Sequence, residues 1–181
     1  MKHYLILILA TMLSFTAGAQ GSVSDFDVSK DKEGATVYKG QFTFDDLRKE
    51  PSFGWFQRGA EAYKADTNAI KYLKKELPNY TIVVLMGTWC DDSQNLIPKL
   101  YKTLELTAYP MDKYAMFGVD RAKEAKYIEH KLYKVERVPT IILYKKNMEI
   151  GRIVESVKRS IEVDLVQLIQ KDPEVQEAQS R

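Results

Sequence analysis

The segment Thr81–Met86 (TIVVLM) is an unbroken run of apolar and β-branched residues with no polar alternation. A strand of that kind must be covered on both faces, so it belongs inside a sheet rather than at its edge. Gly87-Thr88-Trp89-Cys90 follows directly, and Asp91-Asp92-Ser93 then opens a pattern in which Leu96, Ile97, Leu100, Tyr101 and Leu104 recur at helical spacing. Pro98 falls inside that pattern and is expected to kink the helix. A buried strand that turns sharply into an amphipathic helix needs further strands beside it and helices over it.

The rest of the chain supplies them. Tyr114–Val119 reads as a second strand, and Ala122, Ala125, Ile128 and Leu132 mark a helix after it. Val138-Pro139-Thr140 leads into a third strand over 141–144. Lys145-Lys146-Asn147-Met148 is a hairpin connection in which Asn147 takes a left-handed conformation, and 149–155 returns as a fourth strand. Ile161, Leu165, Leu168 and Ile169 mark the last helix, and 172–181 reads as a polar tail. The order from Thr81 is β-α-β-α-β-β-α, which implies an α/β fold with a mixed central sheet and helices on both faces.

Upstream, the lysines of 59–77 lie mostly off the stripe formed by Tyr63, Ile70, Leu73 and Leu77. That segment reads as one helix with a solvated face, closed by Pro78-Asn79. Phe42–Arg48 is a short strand or helical turn ended by Pro51, and Trp55-Phe56 offers aromatic bulk to a core. Residues 20–40 are polar and read as a loose leader. Before them, Lys2 and His3 precede the apolar run Tyr4–Leu13, and small residues end at Ala19 with A-x-A spacing. The run is too short for the roughly 20 residues of a bilayer-spanning helix. It reads as a signal peptide over 1–19, which places the mature chain outside the cytoplasm, periplasmic or extracellular, without a membrane anchor.

Composition then narrows the chemistry. With 27 Lys+Arg against 25 Asp+Glu, the net charge of +2 gives no basic surface for nucleic acid. One cysteine and two histidines exclude a disulfide framework, a multi-cysteine zinc or iron–sulfur site and a His-rich metal centre. Cys90, Asp91 and Asp92 stand at consecutive positions of a helix start and converge poorly on a metal, and His130 reads as a surface or half-buried residue. No cofactor is implied. In an exported protein a lone cysteine is inert, paired between chains, or kept for its reactivity.

A buried strand running into Trp89-Cys90-x-x-Ser93, a proline eight residues beyond the cysteine, and a late Val138-Pro139-Thr140 before a hairpin together resemble the thioredoxin family. The resemblance covers 81–171. It implies a thioredoxin fold over 41–171, with 41–80 as an N-terminal helical extension. It also implies that Pro139 is a cis-proline beside the Cys90 sulfur and that an extended substrate pairs with the chain around Val138, with Trp89 as an apolar wall. The departures agree with one another. Ser93 replaces the family's second cysteine, Val84 stands where a buried acid often lies, and Asp91-Asp92 replace the glycine-proline pair. A dithiol cycle within this chain is therefore impossible.

One thiol still has chemistry open to it. A helix start favours an anion and lowers a thiol's pKa, while Asp91 and Asp92 act against the thiolate as they stabilise the helix terminus. The expectation is a modestly activated nucleophile. Ser93 either donates a hydrogen bond to the sulfur or only caps and packs. Exchange needs just one attacking thiolate, so Cys90 can form a mixed disulfide with an exported protein or a small-molecule disulfide, to be released by an external resolving thiol. The alternatives are a non-catalytic binding or chaperone module on the same fold, a Cys90-linked homodimer, and a thiol sensor.

Overall fold

The computed structural model describes residues 24–180, so the expected signal peptide lies outside the described residues. Six strands form one mixed sheet in the order β1-β2-β4-β3-β5-β6. They are β1 Asp25–Lys30, β2 Thr36–Phe42, β3 Thr81–Met86, β4 Tyr114–Gly118, β5 Thr140–Lys145 and β6 Met148–Val154. β3 lies at the centre, parallel to β4 and antiparallel to β5. The helices are α1 Phe44–Lys49, α2 Gly54–Ala62, α3 Thr67–Glu76, α4 Asp91–Thr107, α5 Glu129–Leu132, α6 Ile161–Ile169 and α7 Pro173–Ser180. No described helix is long and apolar enough to cross a membrane.

The β3 run is buried on both faces, as its composition requires. Ile82, Val84 and Met86 enter a large core with Phe56 of α2, Leu73 of α3, Leu96, Ile97 and Leu100 of α4, and Leu165 of α6. Val83 and Leu85 point the other way, into a smaller core with Phe117, Val119, Val138 and Ile142. The helices therefore stack on one face. The other face is covered mainly by the connection from β4 to β5, which corrects the expectation of helices on both. Within that connection only the single turn of α5 is helical. Ala125 is buried, but Ile128 and Leu132 are exposed. The helical spacing there misleads because Lys123 takes a left-handed φ of 64° and the Asp120 carboxylate accepts the Glu124 backbone N–H, a local bond that competes with helix formation.

Three further expectations are corrected. Of the expected leader over 20–40, the described residues from 24 on form β1 and most of β2, an antiparallel hairpin in the same sheet. Its outer face is polar, which disguised it. Its inner face carries Phe26 against Tyr38 at 4.4 Å between ring centres, and Tyr38 against Phe42 at 5.3 Å. The single helix over 59–77 is two, α2 and α3. Asp66 caps α3 by accepting the Ala69 N–H, and the buried Glu162 carboxylate holds the break by accepting from Tyr63 Oη at 2.6 Å and the Asp66 N–H at 2.8 Å. The polar tail from 172 begins with a buried Asp172 and continues as α7.

α4 runs unbroken through Pro98, which is fully buried and packs against Gly59 of α2. The β5–β6 turn has both Lys146 and Asn147 in the left-handed region, as expected for Asn147 in a two-residue hairpin connection.

Candidate functional site

The site is built where β3 ends. Gly87 leaves the strand with the Trp89 indole folded back on it; a Cβ at Gly87 would lie 2.6 Å from the ring. Trp89 Nε1 donates to the Val119 carbonyl at 2.9 Å, fixing the indole to the end of β4. Cys90 is the N-cap of α4. Its N–H donates to the Gly87 carbonyl at 3.0 Å, and its own carbonyl accepts the Gln94 N–H at 2.9 Å. The sulfur is half-buried, and the thiol donates to the Val138 carbonyl at 3.4 Å. The Val138–Pro139 peptide bond is cis.

Four of the residues singled out in the sequence thus meet: Trp89, Cys90, Val138 and Pro139. Asp91 and Asp92 are exposed in the first turn of α4, where carboxylates complement the free backbone N–H groups. Ser93 is fully buried. Its hydroxyl accepts the Gly87 N–H at 3.3 Å, so it braces the turn rather than the sulfur. Among the described residues no group of three His, Cys, Asp or Glu side chains is placed to hold a metal ion. His130 is half-buried and accepts the Ala125 N–H through Nδ1 at 3.1 Å.

Three residues that hold this corner were not visible in the sequence. Thr88 donates through its hydroxyl to the Thr36 carbonyl at 2.7 Å and accepts the Tyr38 N–H at 3.2 Å, both from β2. Gln94 donates to the Thr88 carbonyl at 2.9 Å. Arg121 lies over the Trp89 ring at 5.0 Å and donates to Asp31 Oδ2 at 2.7 Å in the β1–β2 turn. The Arg121 hydrogen bond holds the Asp31 carboxyl below its ordinary range, and the same bond raises the guanidinium. Burial opposes ionisation of Asp120, yet the hydrogen bond from Lys39 of β2 and backbone N–H groups outweigh it and lower its pKa. No residue-level signal marks Thr88 or Arg121, because their partners are distant in the chain, and Gln94 belongs to no linear pattern although Thr88 is only six residues away.

Chemically, the arrangement offers one accessible sulfur between the start of α4 and the backbone of Val138, beside an indole wall. Nothing in the described chain can resolve a disulfide formed there, since Cys90 is the only cysteine.

No family model matches the chain, and no curated protein matches it. Among solved structures it is similar to a protein of unknown function from Pseudomonas aeruginosa, with a TM-score of 0.49 and 15% identity over 74% of this chain and 84% of that one. It is also similar to an HIV epitope-scaffold, with a TM-score of 0.49 and 14% identity over 75% of this chain and 90% of that one.

Proposed function

We propose that this is an exported, thioredoxin-like protein whose Cys90 carries out thiol–disulfide exchange through a mixed disulfide. The observation that carries the reading is the convergence of two distant segments on one sulfur: Cys90 at the head of α4, with the Val138 backbone carbonyl 3.4 Å away. An extended substrate strand that lay along Val138 would bring its own sulfur alongside Cys90.

The electron count is simple. The Cys90 thiol first gives up its proton to solvent and with it the hydrogen bond to Val138. The thiolate attacks one sulfur of a substrate disulfide; the Cys90–substrate S–S bond forms, the original S–S bond breaks, and the other substrate sulfur leaves as a thiolate that takes up a proton. A different substrate thiol, or an external one, then attacks the mixed disulfide on the substrate sulfur and releases Cys90. The first route isomerises the substrate. The second leaves the substrate joined to the external thiol until a second external thiol attacks that thiol's sulfur, freeing the reduced substrate as the two external thiols depart as a disulfide.

A binding role without exchange is the second reading. It is favoured by the packing of Cys90 against the smaller core, where the thiol has a hydrogen-bond acceptor in place.

The experiment is to incubate the mature protein and its Cys90→Ala variant with a disulfide-bearing peptide and to resolve adducts by mass spectrometry without reductant. Exchange predicts an adduct at Cys90 that a small thiol releases, and none with Cys90→Ala. Alkylation of Cys90 in the folded protein that is slow until the chain unfolds would overturn it. Retention of a partner by Cys90→Ala would turn the assignment to the second reading.

A further inference from the structure

At the far end of the sheet from Cys90, α1, the last turns of α4 and the chain from Tyr109 to Tyr114 enclose a cleft of about 570 Å³. That volume is in the range of small-molecule pockets, roughly 300–1,000 Å³. Its position follows from the register. Tyr114 opens β4 and lines the cleft, whereas Gly118 at the strand's other end pairs level with Met86, beside the turn that carries Cys90.

The cleft is walled by aromatic rings. Phe44 stacks on Tyr114 at 4.7 Å and meets Tyr101 edge-on at 5.1 Å, which fixes the rings against one another. Met111 forms an apolar lip and is 44% exposed, an unbranched side chain that adapts to whatever lies beneath it. Tyr114 carries a buried hydroxyl that has no hydrogen-bond partner. Burial holds that hydroxyl well above its ordinary pKa, so it stays protonated, a donor without an acceptor.

The rim carries charges of both signs, and their commitments decide what the cleft can take. Asp45 is paired with Arg48. Glu105 accepts from Lys102 and from Tyr101 Oη. Asp46 accepts from the Ser24 hydroxyl and from both the hydroxyl and the N–H of Thr43. Arg48 also lies over the Tyr101 ring, at 4.5 Å. All three carboxylates therefore have donors in place. Lys49, which lines the same cleft, makes no hydrogen bond or ion pair among the described residues. Its charge lies near enough to Asp46 to help lower that carboxyl, but its N–H donors are the rim's unused ones.

We propose that this cleft binds a small aromatic carboxylate, its ring packed between Tyr101 and Met111 and its carboxylate on Lys49. The assignment is independent of the chemistry at Cys90.

The test uses the mature protein with three probes of one shape and different charge: phenylacetate, phenylacetamide and phenethylamine. Backbone amide shifts in two-dimensional NMR report where and how tightly each binds. Phenylacetate is expected to shift amides of 43–49 and 101–114 and to bind about fivefold more tightly than the amide, the scale of one partly exposed ion pair. That preference shrinks as salt is added. Lys49→Gln, an exposed substitution, should bring phenylacetate down to the level of phenylacetamide, and Tyr101→Ala should weaken both. Cys90→Ala should change nothing. Equal binding of the three probes, tighter binding of phenethylamine, or shifts elsewhere in the protein would overturn the proposal.

Discussion

Ser93 spends its hydroxyl on the Gly87 N–H, and this separates two roles that the sequence left open. Ser93→Ala leaves that buried N–H without a partner, which costs about 1–3 kcal/mol. The expected outcome is a lower urea midpoint with the rate of Cys90 alkylation unchanged. A large change in that rate at constant stability would return the hydroxyl to the sulfur. Arg121 is the other residue whose removal is informative. Arg121→Ala removes a cation from the Trp89 face, a contact of roughly 0.5–1 kcal/mol at an exposed site. In a Trp55→Phe background the emission of Trp89 should shift to the red as its ring meets water. Trp89, Cys90, Val138 and Pro139 were legible because each stands in a short linear pattern. Thr88 and Arg121 were not, because their partners Thr36 and Asp31 lie 52 and 90 residues away.

Among elements, α2 and α4 touch where Gly59 faces Pro98. Two effects compete when Gly59 becomes alanine. Helix propensity favours the substitution by about 0.5–1 kcal/mol. Against it, the new Cβ would come within 2.9 Å of the Pro98 Cβ and 3.0 Å of its Cγ, and a proline ring cannot rotate away. Overpacking of this kind costs typically 1–3 kcal/mol, so the net effect should be destabilising by about 1 kcal/mol in chemical unfolding. The central strands and α4 were readable from periodicity because each buries a stripe or both faces. The β1–β2 hairpin was not. Five of the six β1 residues are exposed, so little in its own composition shows that Phe26 packs on Tyr38. The helix between β4 and β5 was misread for the opposite reason, since apolar residues at helical spacing there are largely in solvent.

Across the whole molecule, Asp172 ties the C-terminal end of the chain to the sheet. It accepts from Tyr80 Oη and from Lys145 Nζ, each at 2.7 Å, with its side chain 1% exposed. Burial opposes its ionisation, but the bonds from Lys145 and Tyr80 outweigh burial and hold the carboxyl below its ordinary range. A lowered folded pKa contributes stability that is complete above the unfolded value, about 3.9, and is lost as pH falls below it. Thermal unfolding followed from pH 6 to pH 2 should show that loss, and Asp172→Asn should flatten it. The same variant should be about 1–3 kcal/mol less stable at neutral pH, because its one amide oxygen cannot serve Lys145, Tyr80 and the Glu174 N–H together and the charge facing Lys145 is gone. The β1–β2 hairpin links the first described residues to the site just as Asp172 links the last ones to the sheet. Thr36, Tyr38 and Asp31 reach Thr88 and Arg121 only after long stretches of chain have been gathered in, and closing such loops is entropically costly. β1 is the edge strand of the sheet and five of its six residues are exposed, so it should open locally at lower free energy than the core, with amide exchange faster in β1 than in β3. An opening that reaches the Asp31 turn would release Arg121 from the Trp89 face while leaving Thr88 on β2 and Cys90 attached to an intact α4. The labelling rate of a single thiol would then serve as a gauge of how often the N-terminal edge of the protein comes undone.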